Sequence, residues 1–300
     1  MKKITTILVL FVAIATSIFA QSIVYYTKDV SSEGLLKVYN ALKQEQKGKV
    51  GIKVSFGGKG ENVLDAKLLT GLVAQTNATL FDANGLSGSR WTAAHNLPLA
   101  KENGFGIFEN LLMLSDENYI DMPVNKGHLL TYARSGAEID EFDTLIAVHK
   151  VRLHFLPAYD GNIKNISLCL ANRSGKCLIH SGGKSDSRYQ DTKPDVLAKS
   201  FADAAKAAID YKKNWAFINV MDDFSCEDSC IGTPHQKKIG IIASTDLVAV
   251  EQCAIDMVMD CFDVSDATKE KWKVEHQVNA IEYAEKIGAG SRKYKLVEVK

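Results

Sequence analysis

Apolar residues along this chain fall into short β-branched runs and longer runs of helical period, and the two kinds alternate. Ser22–Tyr26 predicts a strand. Ser32–Gln46 predicts a helix with Leu35, Leu36, Tyr39 and Leu42 on one face, Ser31 or Ser32 as N-cap and Gly48 as stop. A strand at Val50–Phe56, a helix at Asp65–Gln75, a strand at Ala78–Phe81 and a helix at Thr92–Glu102 continue the series. Such alternation builds a parallel sheet with helices packed on it. Between Phe108 and Leu130 the pattern changes to short strands and turns, read as a hairpin pairing Tyr119–Val124 with His128–Thr131. Strands at Thr144–Val148, Trp215–Val220 and Ile239–Ala243 resume the sheet. Helices are expected near Pro194–Tyr211, Ala249–Cys261 and Lys269–Glu285, and Lys293–Val299 closes as an edge strand. The expected fold class is therefore α/β, a mostly parallel mixed sheet flanked by helices with a small β-hairpin insertion. No repeat or linker divides it, so one domain over residues 21–300 is expected.

One stretch, Gly161–Lys184, follows neither period over its whole length. It reads as an ordered loop punctuated by short elements. Ile163, Ile166, Leu168, Leu170, Leu178 and Ile179 are available for burial, which argues against disorder. Lys164, Asn165, Asn172, Arg173, Ser174, Lys176, His180 and Lys184 stand among them. A basic, glycine-bearing loop of this kind suits an anion or a metal-bound ligand. An ordinary solvated surface loop is the plain alternative.

The first twenty residues obey a different logic. Lys2 and Lys3 precede a short apolar core, Ile7 to Ala15, and Ala20 is the small residue at a cleavage point before Gln21. This is the form of a bacterial secretory signal peptide rather than a membrane span, and it implies an exported, periplasmic or extracellular product. No later apolar run is long enough to span a bilayer. Removing Lys2 and Lys3 from the 36 basic residues leaves 34 against 36 acidic ones, a formal charge of −2. Nucleic-acid binding needs a basic surface, so it is not expected.

All six cysteines lie in the C-terminal half. Cys253 and Cys261 share a predicted helix roughly 12 Å apart, too far for a mutual bond, and are expected as buried thiols. Cys226 and Cys230, inside DDFSCEDSC, are the metal candidates, with Asp222, Asp228 or His235 to complete a site. In an oxidising compartment a Cys226–Cys230 disulfide is at least as good a reading, and metal is the minority one. A complete four-iron cluster needs about four thiolates, and the CxxCxxC run is absent, so it is not expected of this chain alone. No HExxH, Walker A or GxSxG sequence is present.

Ligands of open α/β sheets bind beyond the carboxyl ends of the strands. Five predicted strands lead there into polar groups: Gly57–Gly60; Asp82, Asn84 and Arg90; His149 and Lys150; Asp222 and Asp223; and Ser244, Thr245 and Asp246. If all five strands are parallel, these loops share one rim.

The ordered motifs KVGIKVSFG, LFDANGLSGSRWTAAH, NGF, GNIKNISLCLANRSGKCLIHS, IGIIASTDLVAVEQCAID and YAEKIGAGSRKYKLVEV resemble domain-of-unknown-function family 362 over nearly all of residues 22–300. The resemblance implies an α/β fold and an association with ferredoxins and iron–sulfur proteins, since many members carry an eight-cysteine insert. Between Val220 and Ile239, where that insert would fall, only Cys226 and Cys230 stand. Members also tend to carry a motif like SHFKGH. Here the corresponding stretch is HKVRLHFLPAYDGNIKN, with Lys150 for the first histidine and Arg152 for lysine, while His154, Gly161, Lys164 and Asn165 match. Asp82, Asn84, Gly88, Arg90, His95, Ser174, Gly175, Lys176, His180 and Asp246 fit the family pattern.

Three functions follow as expectations. The first in rank is binding of a small anionic ligand at the rim. Asn84, Arg90, Lys164, Asn165, Arg173, Ser174 and Lys176 would contact it, and Asp82, His154, His180 and Asp246 would be acid–base candidates. The second is a redox- or metal-associated role for Cys226 and Cys230. The third is a non-catalytic scaffold presenting Phe155, Leu156 and Tyr159.

Overall fold

Strands that are buried on both faces read as continuous apolar runs, and four in this chain have buried residues at every described position. They form the middle of an eight-stranded sheet. The structure, a computed structural model, describes residues 21–86, 90–153, 159–190, 192–222, 238–261, 267 and 279–300. In chain order the first elements are β1 (Ser22–Thr27), α1 (Ser32–Ala41), β2 (Val50–Lys53), α2 (Thr70–Thr76), β3 (Thr79–Ala83), α3 (Ala93–Glu102) and β4 (Leu111–Leu114). A hairpin of β5 (Tyr119–Pro123) and β6 (Tyr132–Gly136) precedes β7 (Thr144–Lys150), β8 (Arg152–Leu153) and β9 (Tyr159–Asp160). Then come α4 (Asn162–Ile166), α5 (Arg173–His180), α6 (Pro194–Tyr211), β10 (Trp215–Met221) and β11 (Gly240–Ser244). The chain closes with α7 (Leu247–Cys261), α8 (Asn279–Lys286) and β12 (Tyr294–Glu298).

The sheet order is β12-β1-β11-β10-β7-β2-β3-β4. Every neighbouring pair is parallel except the two that involve β11. The mixed, mostly parallel α/β fold agrees with the expectation. On one face α1, α2 and α3 pack through Leu35, Val38, Leu72 and Ala100. On the other, α4 to α8 pack through residues such as Ile163, Ile179, Phe201, Val250 and Ile281. Among the described residues no helix is long and apolar enough to cross a membrane.

Four expectations need correction. Gly161–Lys184 is not mainly loop: it folds into α4 and α5, the latter capped by Asn172, whose side chain accepts from the Gly175 amide. The hairpin partner of β5 is Tyr132–Gly136 rather than His128–Thr131, because the Asp203 carboxylate binds the amides of His128, Leu129 and Leu130 and fixes them as a turn. The first helix stops at Ala41, before Gly48. Finally β11 is antiparallel, so Ser244, Thr245 and Asp246 lie at the opposite end of the sheet from the other four strand ends.

Candidate functional site

Side chains alternate across a strand, so the residues facing α4 can be read from the core partners of their neighbours. Val50 and Ile52 pack with α1 and α2, which leaves Lys53 on the α4 face. Leu145 and Ala147 pack with α4, which places His149 there, and Phe217 and Met221 do the same for Asn219. Three adjacent strands thus each turn a polar side chain, Lys53, His149 or Asn219, toward one short helix near their carboxyl ends. All three are buried.

The helix answers with Asn162, Lys164 and Asn165, also buried. The Asn162 amide donates to the Ile218 carbonyl and to Asn219 Oδ1, and Asn165 Nδ2 donates to Asn162 Oδ1. Glu251 of α7 completes this group. Its carboxylate accepts from the amides of Asn162 and Ile163 at 2.9 and 3.1 Å and from Asn219 Nδ2 at 2.7 Å. A Cβ at Gly161 would come within 2.4 Å of Glu251 Oε2, so the approach of α7 to the start of α4 requires glycine there. Burial pushes the Glu251 carboxyl up to about 7, against these three donors.

On one side of α4 sits a cluster around Asp160. Lys164 Nζ and Arg152 Nη2 each lie 3.0 Å from Asp160 Oδ2, and His149 Nε2 lies 2.9 Å from Oδ1 without hydrogen-bond alignment. Burial alone would raise Asp160, but Lys164, His149 and Arg152 together hold it well below the usual carboxylate range. Burial lowers His149 more than Asp160 raises it, so the imidazole is held toward its neutral form. His149, Lys150 and Arg152, with Ser55 and Leu64, border a cavity of about 10 Å³, room for one water. Lys150 Nζ donates to Asn62 Oδ1 at 2.7 Å.

On the other side sits a cluster around Asp82. Lys53 uses all three of its protons, on the Val54 carbonyl, Asp82 Oδ1 and Asn165 Oδ1, at 2.9 to 3.0 Å. Asp82 also accepts from the amides of Phe56 and Ala83 and from Arg90 Nη2 at 2.6 Å. Its four acceptor sites are filled, which suits an anchor better than an acid–base group. Burial would raise this carboxyl, and Lys53 with Arg90 outweighs burial and lowers it.

Lys176 differs from its neighbours. It is buried on α5, and its ammonium meets only the Ala171 carbonyl among the described residues. Burial pushes it down to about 8; Cys169 and Asp82 partly offset this, while the positive charge of Arg90 and Lys53 lowers it further. Arg90 is the member that reaches solvent, with its side chain 22 % exposed, yet its Nε is buried and without a hydrogen-bond partner.

The structure therefore brings Asp82, Arg90, Lys164, Asn165 and Lys176 together around α4. Asn84 and Arg173 lie nearby and share the Asp116 carboxylate. Ser174 donates to Asn172 Oδ1, and His180, the last residue of α5, packs its ring on Tyr189. Asp246 is not part of this group. It caps α7 at the opposite rim, accepting from the amides of Val248 and Ala249 and from the Ser22 hydroxyl. His154, Cys226 and Cys230 lie outside the described residues, as do Phe155 and Leu156. Cys169, Cys177 and Cys253 are free thiols; Cys253 is buried as expected, whereas Cys261 is only half-buried. Among the described residues no three histidine, cysteine or acidic side chains are grouped to hold a metal.

Lys53, Asn162, Asn219, Asp160 and Glu251 are absent from the sequence-derived candidates. Two carried a visible signal: a lone lysine between Ile52 and Val54 in a buried strand, and a lone glutamate in the apolar helix LVAVEQCAID.

The family model for "Domain of unknown function (DUF362)" matches residues 50–256, which takes in β2 to β11 and most of α7. The chain belongs to the DUF362 family. No curated protein matches this DUF362 member. Among solved structures it is similar to the lactate racemase apoprotein from Thermoanaerobacterium thermosaccharolyticum, with 18 % identity and a TM-score of 0.44. That match covers 68 % of this chain and 51 % of the racemase. A structural-genomics protein from Thermotoga maritima is similar at 12 % identity and a TM-score of 0.45, over 88 % of this chain and 59 % of that one. The DUF362 chain thus spans between half and three-fifths of these two proteins.

Proposed function

We propose that this chain binds a small anionic ligand at the carboxyl rim of the sheet, between Arg90 and Lys176. The observation that carries the reading is a surplus of buried cationic donors. Asp82 and Asp160 already have cationic partners, whereas Lys176 offers two further protons and Arg90 its Nε proton. A buried ammonium with one carbonyl for company is costly, and an anion removes that cost. Lys164 and Asn165 hold the floor through Asp160 and Lys53.

The test is calorimetric titration with orthophosphate and with small mono- and dicarboxylates. Binding should fall at least tenfold in Lys176→Met. It should also weaken as pH rises through about 8, where Lys176 loses its charge, by up to roughly tenfold per pH unit. Binding that is unchanged in this variant and flat from pH 6 to 10 would sink the reading.

We also propose that the protein is exported. The leader of residues 1–20 supports this, and β1 begins at Ser22, one residue beyond the expected new N-terminus. N-terminal sequencing of protein recovered outside the cytoplasm should begin at Gln21. Cytoplasmic protein starting at Met1 would refute export.

A further inference from the structure

Beside the buried cations the surface opens into a cleft of about 390 Å³, within the range that holds small organic ligands. Its lining includes Trp91, Arg173, Ser174, Asp186, Ser187 and Tyr189. Two of these are large aromatics left in solvent, Trp91 46 % exposed and Tyr189 51 %. Scattered apolar side chains on a surface need no explanation, but two aromatic rings lining one cleft are a different matter.

Both rings are held. The Arg173 guanidinium lies 4.3 Å from the centre of the Trp91 ring, and its Nε is pinned to Asp116 at 2.9 Å. The Tyr189 ring packs against His180 with centroids 4.7 Å apart. Fixing aromatic surface in water forgoes the gain from burying it, and the arrangement favours any guest that covers it. The cleft is also joined to the anion site through the chain. Trp91 follows Arg90 directly, and Arg173 lies one helical turn before Lys176 on α5.

We infer that the ligand is not a bare anion but one that carries a flat aromatic ring, as a nucleotide does, with the ring stacked in the cleft on Trp91 and Tyr189. A planar π-face suits such a platform because stacking is tolerant of ring identity. Arg173 and Asp186 line the same cleft, Asp186 accepting from Arg134 Nη1 at 3.1 Å, and their remaining donor and acceptor capacity gives room for selection among bases. This inference rests on the anion-binding reading above and names the class of its ligand.

The experiment is a set of titrations of the full mature chain with orthophosphate, adenosine monophosphate and glucose 6-phosphate, in the wild type, Trp91→Leu and Tyr189→Leu. The nucleotide should bind at least tenfold more tightly than orthophosphate, which is about 1.4 kcal/mol. Trp91→Leu should remove most of that advantage and leave orthophosphate binding within twofold of wild type. Nucleotide and orthophosphate binding with equal strength, or a nucleotide indifferent to both substitutions, would overturn the ring while leaving the anion site standing. A sugar phosphate that matches the nucleotide, and loses as much in Trp91→Leu, would also overturn it. If no anion binds and Lys176→Met changes nothing, the underlying reading fails instead.

Discussion

A lysine in a protein interior keeps its charge only if its surroundings outweigh the loss of water, and Lys53, Lys164 and Lys176 show three outcomes. Lys53 has a carboxylate and two carbonyl oxygens and is fully satisfied. Lys164 has Asp160 and is raised despite its burial. Lys176 has one carbonyl, that of Ala171, and no carboxylate, and drops to about 8. Replacing Lys176 with methionine should therefore stabilise the fold by roughly 1–3 kcal/mol at pH 6 while weakening ligand binding at least tenfold. The sign follows from linkage. The folded pKa lies below the unfolded value, so wild-type stability rises between about pH 8 and 10.5 and the gain of the variant shrinks there. Urea denaturation of both proteins at pH 6 and pH 10 measures it; a variant less stable at pH 6 would contradict the account. Asp82 and Arg90 were legible in the sequence because polar groups cluster after strands, and Lys176 because it stands in the basic Gly161–Lys184 stretch. Their division into anchors and free donors was not, because it depends on which oxygen each proton reaches.

At the scale of elements, the site depends on two short helices that pattern reading missed. With five and eight residues, α4 and α5 span too few turns for a 3.6-residue period to declare itself, and the buried Lys164 and Lys176 blur the apolar face. Longer elements with a single buried stripe were easier, and α6 spans the expected Pro194–Tyr211. Position along α5 is governed by close packing on the hairpin. A Cβ at Gly175 would lie 2.3 Å from the Arg134 carbonyl, a backbone atom of β6 that cannot swing aside. Gly175→Ala should displace α5, cost about 1–3 kcal/mol in stability and weaken anion binding with it, since Lys176 is the next residue. Thermal melting with parallel titration checks both effects; a neutral substitution would show that α5 is free to shift. Much of the site's precision thus comes from glycines whose role only the packed structure reveals.

For the whole molecule, the direction of β11 decides which residues share a rim, and nothing in a strand's composition states its direction. Asp246 accordingly fell at the wrong end, while the other sheet strands named from the sequence lie within a few residues of their observed bounds; β4 was not named and the hairpin partner β6 begins four residues later than expected. The same layered packing buries Glu251 between α4, α7 and β10, where it faces Asn162, Asn219 and, further off, Asp160. Its carboxyl is near 7 in the folded chain and near 4.5 unfolded, so the folded state binds more protons between those values. Wild-type stability should consequently lose a contribution on the order of 3 kcal/mol from this residue as pH rises from about 4.5 to 7, and level off above. His149 acts in the opposite sense, because its folded pKa lies below the unfolded value and stability rises as pH climbs toward 6.5. Asp82 and Asp160 matter only at lower pH, where protonation removes their contribution. The wild-type curve is a sum of these terms, but the difference between Glu251→Gln and wild type isolates one. That difference should move in favour of glutamine across pH 4.5 to 7 and stay constant from 7 to 8.5, whatever the fixed cost of the substitution. Urea denaturation at half-unit intervals reads it directly, and a difference that is flat over the lower window would place the Glu251 carboxyl at its ordinary value.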